Sequence, residues 1–239
     1  MRRQKIAAPV TKIETDFVWG AGVAAYRVNN HKFYSLHESA SINDKIAFGH
    51  LEASEAVVPN LTIIRGILDG TNADVVTQED IEAGRELRKY FQTWVFRVIK
   101  GVLLSEFQKN FLNMSDFDEW DSGMTQYFNY LAYAPELAIK EQAEDRRNNR
   151  ISGCTGTVGN VGDRVELNIE VLYTRYSPQW NRYYFTAVTE TNKVVRFSKD
   201  KKFMEEDCEY KISARVKMHD NQTGITRLNY VKLIGVTNE

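Results

Sequence analysis

From Gly162 to Gly235 the sequence alternates apolar and polar residues with a period of two, the pattern of half-buried β-strands. The segment RVELNIEVLYTRY places Val165, Leu167 and Ile169 on one face of a first strand. The pattern recurs in RYYFTAVT, VVRFSKD, YKISARVKMH and TRLNYVKLIG. No segment between them is long enough for a crossover helix, so we predict five antiparallel strands.

The lengths of the predicted strands and turns favour a barrel. A long first strand, the short turn ETNK between the second and third strands, and the charged connection KKFMEEDCE before the fourth match a five-stranded OB-like barrel. A five-stranded SH3-like barrel would produce a similar pattern. The aromatic and basic residues on the second and third strands favour the OB-like alternative.

The preceding half of the chain is mainly helical by its pattern. Thr77 begins a capping box for a helix that Gly101 would end, and a later helix should break near Pro135. Two short β-like runs flank Asn29–Asn30 and predict a hairpin there. We therefore predict an α+β protein in which residues 1–150 form a mixed, mainly helical region and residues 151–239 form the barrel.

The composition is that of a water-soluble chain with weak charge asymmetry. The net charge is −1, yet residues 151–239 carry 13 Lys/Arg against 11 Asp/Glu. No run of 18 apolar residues predicts a membrane span, and the N-terminus lacks the apolar stretch of a signal peptide. Cys154 and Cys208 are expected to be free thiols, so a cytoplasmic location is predicted.

Aromatic and basic residues are concentrated in the predicted barrel where an OB-fold binds oligonucleotides, on the face of its second and third strands and in two adjoining loops. The candidate nucleic-acid-binding residues are Tyr176, Trp180, Arg182, Tyr184, Arg196, Lys199, Lys202, Lys217, His219, Asn221 and Arg227. Alternation along the strands assigns Phe185 and Phe197 to the barrel core. Tyr184 and Arg196 then face outward, where rings can stack on bases and cations can contact phosphates.

The segments VGNVGDRVELNIEVL, YSPQWNRYYFTAVTETNKVVRF and KISARVKMHDNQTGITRLNYVKL resemble the C-terminal domain of uncharacterised tailed-bacteriophage proteins. That family is regarded as OB-fold-like and as binding single-stranded DNA during replication or recombination. The motif positions that the resemblance implies are Trp180, Asn181, Tyr183, Tyr184, Lys217, His219 and Asn221. Many phage strand-coating proteins end in an acidic tail, whereas this chain ends in LIGVTNE, which favours an accessory role.

The resulting functional hypothesis is single-stranded DNA binding, with RNA as the alternative nucleic acid. Replication or recombination proteins and a second copy of the chain are the candidate protein partners. No catalytic motif is present, and neither the histidines nor the acidic segment SDFDEWDSG has a standard metal-binding spacing, so no enzyme activity, cofactor or metal is predicted. The rival hypothesis is a protein-docking barrel without affinity for nucleic acid.

Overall fold

The computed structural model describes residues 12–121, 123–220 and 222–236, and the chain divides into two compact units, Met1–Glu141 and Gln142–Glu239. The helices are α1 (Thr15–Val28), α2 (Leu36–Ala47), α3 (Asn60–Leu68), α4 (Gln78–Gln92), α5 (Val95–Ile99), α6 (Glu106–Ser115) and α7 (Phe128–Ser152). The strands are β1 (Lys12–Ile13), β2 (Trp120–Asp121), β3 (Arg164–Ser177), β4 (Arg182–Thr189), β5 (Val194–Lys199), β6 (Cys208–His219) and β7 (Thr226–Val236). The predicted α+β class, with the helices N-terminal to a five-stranded barrel, is confirmed.

The division between the two units falls inside α7. The last turns of this helix, from Gln142 onward, belong to the same compact unit as the barrel. Within the described parts of the chain, no helix combines the length and apolar character needed to cross a bilayer.

The first unit is built on a close crossing of α1 and α4. Thr77 caps α4 through a capping box with Asp80, as the sequence predicts. Asp80 is buried and bonded to the Arg27 guanidinium, with Arg27 Nε 2.9 Å from Asp80 Oδ1. At the crossing, the backbones of Gly84 and Gly20 pack directly against each other, and there is no room for a side chain at Gly84.

The predicted hairpin at Asn29–Asn30 is wrong, because the residues before it form α1. Its small residues Ala21, Ala24 and Ala25 are fully buried, so packing of a helix face outweighs the local β-like pattern. The positive φ expected of an asparagine turn is present at Asn30, at 54°, but it directly follows the helix end rather than joining two strands.

The predicted break at Pro135 is also wrong, since α7 runs through it. Proline has no amide hydrogen, so the Leu131 carbonyl loses its usual partner four residues on. That carbonyl oxygen lies against Gly22 of α1, where an added Cβ would be only 2.9 Å from it. The helix therefore continues through Pro135 where it packs closely against α1.

The second unit is a closed barrel with the strand order β3-β4-β5-β7-β6. The prediction that all its strands are antiparallel is wrong, because β5 and β7 pair in parallel. A closed ring of five strands cannot alternate direction at every contact, so one pair must be parallel. Because β6 lies between β5 and β7 in sequence, this parallel pair needs no crossover helix.

The barrel core follows the predicted alternation. Phe185 and Phe197 are buried opposite each other on β4 and β5, with ring centroids 5.1 Å apart. Cys154 and Cys208 are free thiols, as predicted.

One irregularity in β3 reverses the alternation. Val171 pairs with Ala187 and Tyr173 pairs with Thr186, so Leu172 is an additional residue, a β-bulge. Val171 enters the barrel core, whereas Leu172 packs in a separate buried cluster with Val188. Beyond the bulge, odd-numbered residues of β3 share a face with the outward residues of β4.

The α1–α4 crossing predicts an unusual response to alanine. In a helix, Gly→Ala ordinarily stabilises by about 1 kcal/mol. A Cβ at Gly84 would lie 2.5 Å from the Gly20 nitrogen and 2.6 Å from the Trp19 carbonyl carbon. We expect Gly84→Ala to lower the free energy of unfolding by about 2 kcal/mol or more, measured by urea denaturation. Gly153→Ala, where the new Cβ meets nothing within 4 Å, is the control; unchanged stability in Gly84→Ala would contradict the close crossing.

Candidate nucleic-acid interface

A groove of about 800 Å³ crosses the outer face of the barrel. Its lining, which we call the basic groove, comprises Tyr173, Arg175, Ser177, Gln179, Trp180, Arg182, Tyr184, Phe185, Thr186, Arg196, Phe197, Ser198, Lys217, Arg227 and Leu228. Five of these residues are cationic, three are exposed aromatic residues, and none carries a carboxylate. The residues come from all five strands and from the loop between β3 and β4.

The strand register brings the groove residues side by side. Arg175 is opposite Tyr184, and Tyr173 is opposite Thr186, which in turn is opposite Arg196 on β5. Side chains at opposite positions of paired strands extend from the same face of a sheet. The bulge at Leu172 thus turns Tyr173 and Arg175 toward the groove rather than toward the barrel core.

Trp180 is presented by the tight loop between β3 and β4. The backbone turns there through bonds from Trp180 N to Ser177 O and from Asn181 N to Pro178 O, both 3.3 Å. Asn181 has a φ of 46°, and its side-chain oxygen accepts a 2.7 Å hydrogen bond from Tyr176 Oη. Trp180 is 64% exposed, so its indole ring is available to a ligand.

The cations of the basic groove are unpaired among the described residues. None of Arg175, Arg182, Arg196, Lys217 and Arg227 forms an ion pair there. Arg196 and Arg227 are direct neighbours in the parallel β5–β7 pair, an arrangement that repulsion between like charges disfavours. The groove lining therefore concentrates positive charge, although Arg227 interacts electrostatically with the Asp220 carboxylate.

Some cations elsewhere on the second unit have acidic partners. Lys211 Nζ lies 3.7 Å from Glu166 Oε2, and Arg150 Nε lies 3.0 Å from Glu170 Oε2. The second unit therefore carries carboxylates, and none of them belongs to the groove lining.

Six of the eleven residues predicted for nucleic-acid binding line the basic groove: Trp180, Arg182, Tyr184, Arg196, Lys217 and Arg227. Tyr176 and Lys202 lie outside the groove lining. The bulge turns Tyr176 to the other face of β3, where its ring packs at a tilt against Tyr183 with centroids 4.9 Å apart, and Lys202 forms an ion pair with Glu205.

Lys199 and His219 also lie outside the groove lining. Lys199 Nζ is 5.5 Å from the centre of the Phe203 ring. His219 Nδ1 lies 3.1 Å from Thr226 Oγ1, which also accepts a hydrogen bond from Val158 N. His219 therefore joins β6 to β7 in a structural contact.

The loop between β6 and β7 is closed by Asp220. Hydrogen bonding from the Thr223 side chain, then from the backbone amides of Gln222 and Thr223, lowers the pKa of Asp220. Gly224 completes the turn with a φ of 69°. The remaining predicted residue, Asn221, lies outside the described residues.

Tyr173, Arg175 and Gln179 line the groove but were not among the predicted residues. A strict period of two from Val171 would direct Tyr173 and Arg175 into the barrel core. The local signal against that placement is Arg175 itself, because a charged side chain without a partner is not buried in an apolar barrel. An arginine at a position that strict alternation would bury indicates that the strand register changes before residue 175.

No protein-family model, curated protein or solved structure matches this chain. The functional argument therefore depends on the geometry and charge of the basic groove.

The exposure of Trp180 predicts a simple fluorescence signature. Of the four tryptophans, Trp19, Trp94 and Trp120 are at most 1% exposed. Acrylamide should therefore quench one class of emission efficiently, and Trp180→Phe should remove that class without changing the unfolding transition. Persistence of the readily quenched emission in Trp180→Phe would show that a different tryptophan is exposed.

Proposed function

We propose that this protein binds single-stranded nucleic acid, preferentially DNA, in the basic groove. The observation that carries the proposal is that five cations, none in an ion pair among the described residues, share one groove with exposed Tyr173, Trp180 and Tyr184, and that no carboxylate lines this groove. Unpaired bases need aromatic faces for stacking, and the strand between them needs cations along its phosphates. Both requirements are met on one surface.

We further propose that the barrel is an OB-fold. Its five strands form a Greek-key arrangement in which β7 lies between β5 and β6. The second and third strands of the barrel, β4 and β5, contribute to the groove. The β3–β4 loop bearing Trp180 corresponds to one of the two loops with which OB-folds bind oligonucleotides.

Stacking would supply binding that does not depend on base identity. Tyr184 and Tyr173 are 42% and 39% exposed, and they occupy diagonal positions on neighbouring strands. Side chains on such a diagonal are roughly 7–8 Å apart, which leaves room for a base between or upon the rings. Each stacked base contributes about 1–3 kcal/mol, and every base offers a ring face.

The cations would supply binding that depends on salt. When Lys and Arg neutralise phosphates of a single strand, they release bound counterions, with a slope of about −0.7 per phosphate in log K against log salt concentration. Five contacts would give a slope of roughly −3.5. Occupation by phosphates would also relieve the repulsion between Arg196 and Arg227.

The phage resemblance adds a biological context to the proposal. Three of its motif positions, Trp180, Tyr184 and Lys217, line the basic groove. We propose an accessory role in phage DNA replication or recombination, with replication or recombination proteins as further partners. An apolar or acidic groove would have favoured the protein-docking alternative instead, and the charge of this groove supports nucleic acid.

The direct test is fluorescence anisotropy with a labelled single-stranded DNA 30-mer, titrated at several salt concentrations. We expect Trp180→Ala and Tyr184→Ala each to weaken binding by roughly 5- to 150-fold, because each loses a stacking ring. Arg196→Ala should reduce the steepness of the salt dependence by about 0.7. Duplex DNA and single-stranded RNA of the same sequence measure the preference for DNA single strands.

Two matched controls separate the groove from the rest of the barrel. Tyr230→Ala and Lys202→Ala remove an exposed aromatic ring and a cation that lie outside the groove lining, and they should change affinity by less than about 2-fold. Equal losses from Tyr230→Ala and Tyr184→Ala would place the binding site elsewhere. Absence of single-strand binding by the unmodified protein at low salt would refute the proposal and favour protein docking.

A further inference from the structure

The helix that precedes the barrel contacts one of the groove aromatics. Arg147, in the last turns of α7, places its guanidinium carbon 5.0 Å from the centre of the Tyr173 ring. A cation over a ring at this distance is attracted by the negative face of the aromatic system. Tyr173 itself lines the basic groove.

This contact belongs to a part of α7 that is attached to the barrel. Arg150 bonds to Glu170 of β3 and also donates to Asn192 Oδ1 at 2.8 Å, in the turn between β4 and β5. Just beyond, Ile151 packs on the buried cluster that contains Leu172. Polar and apolar contacts together hold the end of the helix against the strands that bear Tyr173.

Arg147 is also restrained within its own helix. Its Nε donates a 3.1 Å hydrogen bond to the Ala143 carbonyl oxygen, and its side chain is half-buried. Because both its Nε and its guanidinium face are in contact, the Arg147 side chain loses little conformational entropy when a ligand binds. We expect this contact to restrict the orientation of the Tyr173 ring as well.

We propose that Arg147 is a positioning residue for Tyr173, so that the end of α7 forms part of the nucleic-acid site. This inference rests on the proposed function of the basic groove. Arg147 covers one face of the Tyr173 ring, which leaves one face for a single base. The base, the ring and the guanidinium then form one stack at that end of the groove.

Two physical effects make the arrangement favourable for binding. A ring already held in place loses little conformational freedom when a base stacks on it, so more of the stacking energy appears as affinity. Arginine suits this role because its planar guanidinium can lie over a ring, whereas a lysine ammonium is a compact point charge. The neighbouring Arg146 is exposed and has no ring contact with any residue that the structure describes, so it is the matched control on the same helix.

The test is a double-mutant cycle on the full-length protein, with the single-stranded DNA 30-mer as probe. Arg147→Met should weaken binding about 3- to 5-fold in the Tyr173 background and have almost no effect once Tyr173→Leu has removed the ring. Tyr173→Phe keeps the ring and should preserve the effect of Arg147→Met. Arg147→Lys should restore only part of the lost affinity, and thermal unfolding verifies that each variant is folded.

The salt dependence separates positioning from a direct phosphate contact. Because Arg147 acts through the ring, Arg147→Met should leave the slope of log K against log salt unchanged, and Arg146→Ala should leave the affinity within about 2-fold. A slope reduced by about 0.7 in Arg147→Met would instead identify a phosphate contact and overturn the inference. Independent, additive effects of the Arg147 and Tyr173 substitutions would overturn it as well.

The outcomes also separate a failure of the role of Arg147 from a failure of the proposed single-strand binding. If the unmodified protein binds no single-stranded DNA, both are refuted. If it binds, and Tyr173→Leu weakens binding while Arg147→Met does not, only the role of Arg147 is refuted and the basic groove stands.

Discussion

The arrangement of the groove depends on a strand that carries one more residue than the strand opposite it. At Leu172, β3 bulges against β4, and the side chains on either side of the bulge change faces. Leu172 joins the cluster on which Ile151 packs, so the bulge also provides an anchor for the end of α7. Tyr173 and Arg175 then lie in the groove. One local irregularity thus connects the docking of a helix to the composition of the candidate site.

The groove also illustrates how a binding surface differs from a merely stable one. Like charges at neighbouring strand positions, as at Arg196 and Arg227, oppose folding in the absence of a ligand. Elsewhere on the same unit, some lysines and arginines lie beside carboxylates, as Lys211 does beside Glu166. In the groove, five cations without an ion pair among the described residues lie beside three exposed aromatic rings. An anionic, unstacked polymer matches both features, which is why we favour a nucleic acid strand over a protein partner.

Much of the local structure could be predicted because it depends on neighbours in sequence. The capping box at Thr77 and the burial of Phe185 and Phe197 follow from hydrogen bonding and alternation over a few residues. The hairpin expected at Asn29–Asn30 was wrong because the residues before it form α1. Packing of the small, buried residues of this helix stabilises it more than the short β-like pattern favours a strand. The break expected at Pro135 was wrong because α7 continues through this residue, in a segment that packs closely against Gly22 of α1.

The sequence by itself determined that this protein is an α+β chain with N-terminal helices, five strands and an aromatic, basic surface on the barrel. Alternation and capping are local, so they can be recognised without knowing the fold. The tertiary structure decided the parallel β5–β7 pair, because a ring of five strands must contain one such pair and only closure reveals which. It also decided which aromatics share the groove, since one extra residue in β3 reverses the face of every side chain after it.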